Sequence, residues 1–108
     1  MALDVKNLFN EVLPAALANN AEDAKSINAK YQMNITGEGE WHIDVSPTGP
    51  SCTPGTQAAD CVITVAGEDL EKMIDNPGAG MTLFFAGKLK VTGNQMLAMK
   101  LNKLLAYK

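Results

Sequence analysis

Four stretches of the chain alternate apolar and polar side chains with a period of two. In YQMNITG, Tyr31, Met33 and Ile35 share one face, and Gln32, Asn34 and Thr36 the other. EWHIDV sets Trp41, Ile43 and Val45 against His42 and Asp44. CVITVAG sets Cys61, Ile63 and Val65 against Val62, Thr64 and Ala66, and KLKVTG sets Leu89 and Val91 against Lys88, Lys90 and Thr92. This pattern predicts a sheet covered on one face and solvated on the other. GEGE, between the first two runs, is a tight hairpin connection.

The remaining segments read as helices and loops. In LDVKNLFNEVLPAALANN, Val5, Leu8, Phe9, Val12, Leu13, Ala16 and Leu17 recur at helical spacing, with Asp4 at the N-terminal end. Pro14 should shorten or kink that helix, because it removes a backbone donor. AEDAKSINA is a short polar link to the first strand. SPTGPSCTPGTQAAD reads as a loop with one short strand near Cys52. EDLEKMIDNPG has an acidic start, apolar Leu70, Met73 and Ile74, and an Asn-Pro-Gly stop, the marks of a helix. GMTLFFAG is a short apolar helix in which Leu83, Phe84 and Phe85 carry the bulk.

The last helix has more apolar surface than one contact needs. Leu97, Ala98, Leu101, Leu104 and Leu105 form a stripe about 120° wide, enough to dock on a sheet. Met96 and Met99 fall outside it, beside Lys100 and Lys103. Methionine adapts to surfaces that are not fixed. Three readings of the surplus stand together: two surface methionines beside an ordinary core, a dimer or membrane contact, and one wall of a ligand cavity.

Composition narrows the class. With 108 residues, 46% hydrophobic and 19% charged, the chain is expected to be a single domain over residues 1–108 with one real core. No apolar run reaches the 18 residues of a membrane span. The start lacks the pattern of a secretory signal and AYK is no recognised address, so a cytoplasmic location is expected. The chain has no arginine, and from Ala86 onward it carries five lysines and no acid on an otherwise acidic body. That asymmetry suits contact with an anionic membrane surface or a charged head-group, and equally a helix that lysines keep soluble. Nucleic acid is a poor partner for such a chain. Cys52 and Cys61 match no metal spacing. A disulfide between them is geometrically conceivable if their segments pair as a hairpin, but a cytosolic setting argues against it; the alternative is two ordinary buried or half-buried thiols.

GKLKVTGNQMLAMKLNKLL resembles the closing signature of the sterol carrier protein 2 (SCP-2) family, a strand–turn–helix reading GKLKxxGNxxLAMKL. The N-terminal helix, the strand leading to ITGEGEWHIDV, the DCVITVAGEDLEKMIDN unit and a Phe-Phe pair before GKLK match in the same order, so the likeness covers essentially the whole chain. It implies an α+β fold. A five-stranded, mostly antiparallel sheet would be covered on one face by four to five helices, enclosing a hydrophobic cavity. Family members bind fatty acids, fatty acyl-CoA, sterols or phospholipids and move them between membranes or present them to enzymes.

Carried over by position, the cavity would be lined by Phe84 and Phe85, by the strand residues Met33, Ile35, Trp41 and Ile43, and by Met96, Leu97, Met99 and Leu101. Phe9 and Leu13 would close another side. Met96 stands where many relatives carry a small glycine, which favours flexible acyl chains over sterol rings. The end AYK also departs from the peroxisomal tripeptide of several eukaryotic relatives, which suggests a free-standing cytoplasmic form, monomeric or weakly dimeric.

Such a carrier needs no cofactor, metal or catalytic group. An enzyme would have to be built on His42 and Asp44, and no nucleophile can be tied to them. The rival reading is a protein-interaction or dimerisation module that uses the Met96 and Met99 surface without lipid.

Overall fold

The computed structural model describes residues 4–76 and 79–105, without the side chains at 99, 102, 103 and 105. The alternating runs form one sheet: β1 (Lys30–Thr36), β2 (Gly39–Asp44), β3 (Ser51–Pro54), β4 (Cys61–Ala66) and β5 (Leu89–Gly93). Their order is β3-β2-β1-β4-β5. β1 runs parallel to β4, and the other three pairings are antiparallel, so the sheet is mixed. The expected α+β class and five strands are present, with one parallel pair at the centre.

Register turns the period of two into rows that cross the sheet. Cys52 pairs with Ile43, Ile43 with Tyr31, and Tyr31 with Cys61. A second row runs through Trp41, Met33, Ile63 and Val91. Both rows face the helices, and all but Val91 are buried. The first row also decides the cysteine question. β1 and β2 lie between Cys52 and Cys61, three strand spacings or roughly 14 Å apart, far beyond disulfide reach. Both thiols are free and buried.

One face of the sheet carries the helices. α1 (Val5–Asn7) is capped by Asp4, whose carboxylate accepts the Asn7 N–H at 3.0 Å. A π-helical turn over Leu8–Val12 follows, then α2 (Leu13–Asn19). The Leu13 N–H bonds back to the Leu8 carbonyl, five residues away. In the same pattern the Phe9 carbonyl would be served by the nitrogen of Pro14, which has no hydrogen. The Cys52 thiol supplies the missing donor from β3, 3.2 Å from the Phe9 oxygen. The wider turn also carries Val12 off the apolar stripe, and it is 47% exposed where the helical period predicted a core position.

This first helical segment packs on the β3 side of the sheet. Phe9 stacks on Trp41 at 4.8 Å between ring centroids, and the Trp41 indole N–H donates to the Asn10 side-chain oxygen at 2.9 Å. The polar link 21–29 contains a short helix, α3 (Ala21–Lys25), with Ala24, Ile27 and Ala29 buried.

α4 (Gly67–Asp75), α5 (Ala79–Phe85) and α6 (Gln95–Leu105) cover the β1-β4-β5 side. α6 docks through Leu97, Leu101 and Leu104, all buried, as the stripe predicted. The buried Tyr31 hydroxyl donates to the Leu97 carbonyl at 2.6 Å and pins α6 to the central strand. Gly93 makes the turn into α6 possible. Its φ is +96°, and a Cβ there would lie 2.4 Å from the Asp60 carbonyl oxygen.

The polar face is not uniformly wet. Residues 55–58 fold back across β1 and β2. Gln32 donates to the Gly55 carbonyl at 3.1 Å and accepts the Gln57 N–H at 3.0 Å. His42 meets the Ala58 carbonyl at 3.2 Å and is only 4% exposed. Alternation assigned His42 to a solvated surface correctly by face, but it cannot register a strap that arrives from elsewhere in the chain.

Candidate ligand-binding site

The apolar cover is incomplete beside the edge strand β5. Leu89 and Val91 point toward the helices, opposite Val65 and Ile63 of β4. Beyond them the sheet ends, so the helices must close the space without a further strand. α5 crosses here with Gly80, Met81 and Phe84, α4 contributes Met73, and α6 contributes Gln95 and Ala98. Together these residues line a cavity of about 170 Å³. Gly80 shapes the wall: a Cβ there would sit in ordinary contact, 3.6 Å from the Met73 methyl. Among the described residues Gln95 is the one polar side chain in this lining, and none of them is charged.

Apolar side chains are also exposed next to the cavity. Phe85 is 78% exposed, with its ring edge-on to Phe84 at 5.8 Å. Met96 follows the lining residue Gln95 and is 71% exposed, and Met81 is 59% exposed. Asn94 caps α6, its side-chain oxygen accepting the Met96 N–H at 3.0 Å. Lys88 and Lys100 are exposed. Lys90 alternates onto the opposite face of the sheet, paired with Thr64.

The residues expected from sequence to line a cavity are distributed in three ways. Phe9, Leu13, Met33, Ile35, Trp41, Ile43, Leu97 and Leu101 are close-packed members of the core. Phe84 lines the cavity, while Phe85 and Met96 are exposed beside it. The Met99 side chain lies outside the described residues, as does that of Lys103. Met73, Gly80, Met81, Leu89, Val91, Gln95 and Ala98 belong to the wall without having been singled out for it. One local signal for them was available: a glycine beside Met81 and Phe84 in a short apolar helix leaves a gap that larger neighbours surround.

Ionisable groups with shifted titration lie elsewhere. Burial pushes the Cys52 thiol up to about 12 and raises Cys61, which the Asp60 carboxylate raises further. Burial likewise raises Tyr31, and the nearby Cys61 adds to it. Burial opposes ionisation of Asp44, but hydrogen bonds from Ser46 and Thr48, with Lys30 nearby, hold its carboxyl below the usual range. His42 and Asp44 both sit on the strap side of the sheet, away from the cavity. Among the described residues no group of three or more His, Cys, Asp or Glu could hold a metal ion.

Comparison with known proteins places this architecture. The family model described as the SCP-2 sterol transfer family matches residues 9–106. Rat hydroxysteroid dehydrogenase-like protein 2 (Rattus norvegicus) is 36% identical over 90 residues, covering 80% of this chain and 17% of the relative. Rat sterol carrier protein 2 is 41% identical over 103 residues, covering 90% of this chain and 19% of the relative. The chain thus spans about a fifth of the length of these curated relatives. Among solved structures, sterol carrier protein 2 from Aedes aegypti, in complex with palmitate, superposes with a TM-score of 0.66 at 21% identity, covering all of both chains. The family match over nearly the whole chain, on a sheet and helical layer of matching shape, makes this protein a member of the SCP-2 sterol transfer family.

Proposed function

We propose that this domain binds and transfers a flexible acyl lipid, a fatty acid or fatty acyl-CoA, without catalysing a reaction on it. The observation that carries this reading is the cavity between α5, α6 and β5. Among the described residues its wall is apolar but for one polar side chain, and it opens among exposed Met and Phe residues. Family membership and the palmitate complex of the Aedes relative support the same class of ligand. Burial contributes about 0.8 kcal/mol per CH₂, so an acyl chain needs no specific contact to bind.

Size limits how it binds. A cavity of about 170 Å³ is smaller than the roughly 300–1,000 Å³ of sites that enclose a drug-sized ligand. It accommodates part of an acyl chain, and a long chain must part α5 from α6. A rigid sterol would require a larger displacement than a chain that bends. Gln95, at the start of α6, can donate to a carboxylate or carbonyl at the polar end of the ligand.

The test is native mass spectrometry of purified protein, alone and with palmitate, on the native chain and on Gly80→Leu. The leucine side chain would enter the cavity from α5. Palmitate adducts on the native chain, reduced at least tenfold in Gly80→Leu with the circular dichroism preserved, are expected. Native protein that takes up no palmitate would overturn the reading. Undiminished uptake by Gly80→Leu would move the lipid to another part of the molecule.

A further inference from the structure

The cavity has a closed end and an open one. Of its described lining residues, Met73, Gly80 and Leu89 are buried, whereas Met81, Phe84 and Gln95 are exposed. A chain entering from solvent therefore passes Gln95 and Phe84 first and meets Met73 last. Met73 belongs both to the wall and to the core cluster, so its side chain separates the hollow from the packed interior. Leu89 lines the sheet side of the closed end, and Met73 spans from α4 toward α5, its methyl 3.6 Å from where a Cβ on Gly80 would stand. The depth between the two ends is fixed. α4 is seated by the fully buried Leu70. The start of α6, which carries Gln95, is tied twice: the Asn94 N–H donates to the Asp60 carbonyl at 3.1 Å, and the Tyr31 hydroxyl donates to the Leu97 carbonyl.

We propose that Met73 is the stop that sets acyl-chain length, and that the ligands which fit the closed cavity are medium-chain acyl groups. An apolar cavity of about 150 Å³ holds one benzene. At about 170 Å³ this one holds a chain of about six carbons. Each methylene buried up to that point strengthens binding about fourfold. Beyond it, added carbons either remain in water at the mouth or part α5 from α6, and each adds little. Hexanoyl and octanoyl chains thus gain nearly all that the closed site offers. The thin, unbranched methionine side chain is what a longer chain would have to displace. This inference rests on the lipid-carrier reading and deepens it, naming the length of chain that the site grips.

The experiment is isothermal titration calorimetry with saturated fatty acids from hexanoate to tetradecanoate in single-carbon steps, each below its micelle concentration. It uses the native chain, Met73→Ala and Gly80→Ala, with circular dichroism as the check on folding. For the native chain, affinity is expected to rise about fourfold per carbon until the cavity is full and less than about twofold per carbon beyond. Met73→Ala removes three heavy atoms from the closed end and should move that break about two to three carbons longer. Gly80→Ala adds a methyl facing Met73 and should move it about one carbon shorter. General damage to the fold would not shift the break in opposite directions. If Met73→Ala does not fold, Gly80→Ala decides alone, since its methyl enters at ordinary contact distance. Affinity that climbs by the same factor per carbon through tetradecanoate, or a break that the folded variants leave in place, overturns the role of Met73 and leaves the carrier reading standing. Native protein that binds no fatty acid of any length overturns the carrier reading, and the inference with it.

Discussion

Asp44 ends β2 and organises the turn that follows. Its carboxylate accepts from the Ser46 N–H at 2.9 Å, the Ser46 hydroxyl at 2.5 Å and the Thr48 hydroxyl at 2.6 Å. Although burial works against the charge, these donors and Lys30 keep the carboxyl more acidic than an ordinary aspartate. The linkage has a definite sign. Between the depressed folded value and the usual value near about 4, the unfolded chain binds more protons. The stabilisation from Asp44 is therefore complete above about pH 4 and is lost as pH falls through its folded value. Urea unfolding of the native chain and Asp44→Asn should show a stability gap at neutral pH that narrows steadily in acid. A gap of constant size from neutral pH to about pH 2.5 would mean that the turn does not depend on the carboxylate charge.

At the scale of elements, the first helical segment shows what a pattern can and cannot reveal. Pro14 announced a disturbance, and helical spacing correctly placed Phe9, Leu13 and Leu17 in the core. Neither disclosed that the disturbance is a π turn. That depends on the unserved Phe9 carbonyl finding Cys52, a residue 43 positions away. With its ionisation pushed up to about 12, the Cys52 thiol keeps its proton near neutral pH and remains a donor. Removing it in Cys52→Ala should cost about 1–3 kcal/mol, from an unserved buried carbonyl and lost packing. Pro14→Ala would restore an N–H in position to serve the same carbonyl. The double variant should consequently lose less stability than the sum of the two single changes, by roughly 0.5 kcal/mol or more in a denaturation cycle. Strict additivity would show that the thiol does not support the helix.

Across the whole molecule, the difference between core and cavity follows from strand order, which no local pattern records. Met33 and Val91 are both inward residues of alternating strands and lie in one row, with Ile63 between them. Met33 is on the central strand and is fully buried, whereas Val91 is on the edge strand and lines the cavity. The period of two specified their common face, and the family signature specified the strand–turn–helix to which Val91 belongs. Only the assembled order β3-β2-β1-β4-β5 separates the filled end of the sheet from the hollow one. The strap over His42 escaped sequence reading for the same reason, since it joins distant parts of the chain.

This asymmetry predicts where the molecule yields. The β3 end is closed by the Phe9–Trp41 stack and its hydrogen bonds, whereas α5 lies over a hollow with much of its surface exposed. Regions with fewer buried apolar contacts open more readily, so α5 should exchange its amide hydrogens faster than β1 or α2 in the free protein. An acyl chain that enters beneath α5 fills the hollow and stabilises the helices around it. Hydrogen exchange with saturating palmitate should therefore slow most over 79–85 and at the start of α6, with little change over 13–19. Protection concentrated over 5–19 would instead place the chain beneath the first helical segment, among Phe9, Leu13 and Trp41. The packing there argues against it, since each of those side chains already fills its place beside the sheet.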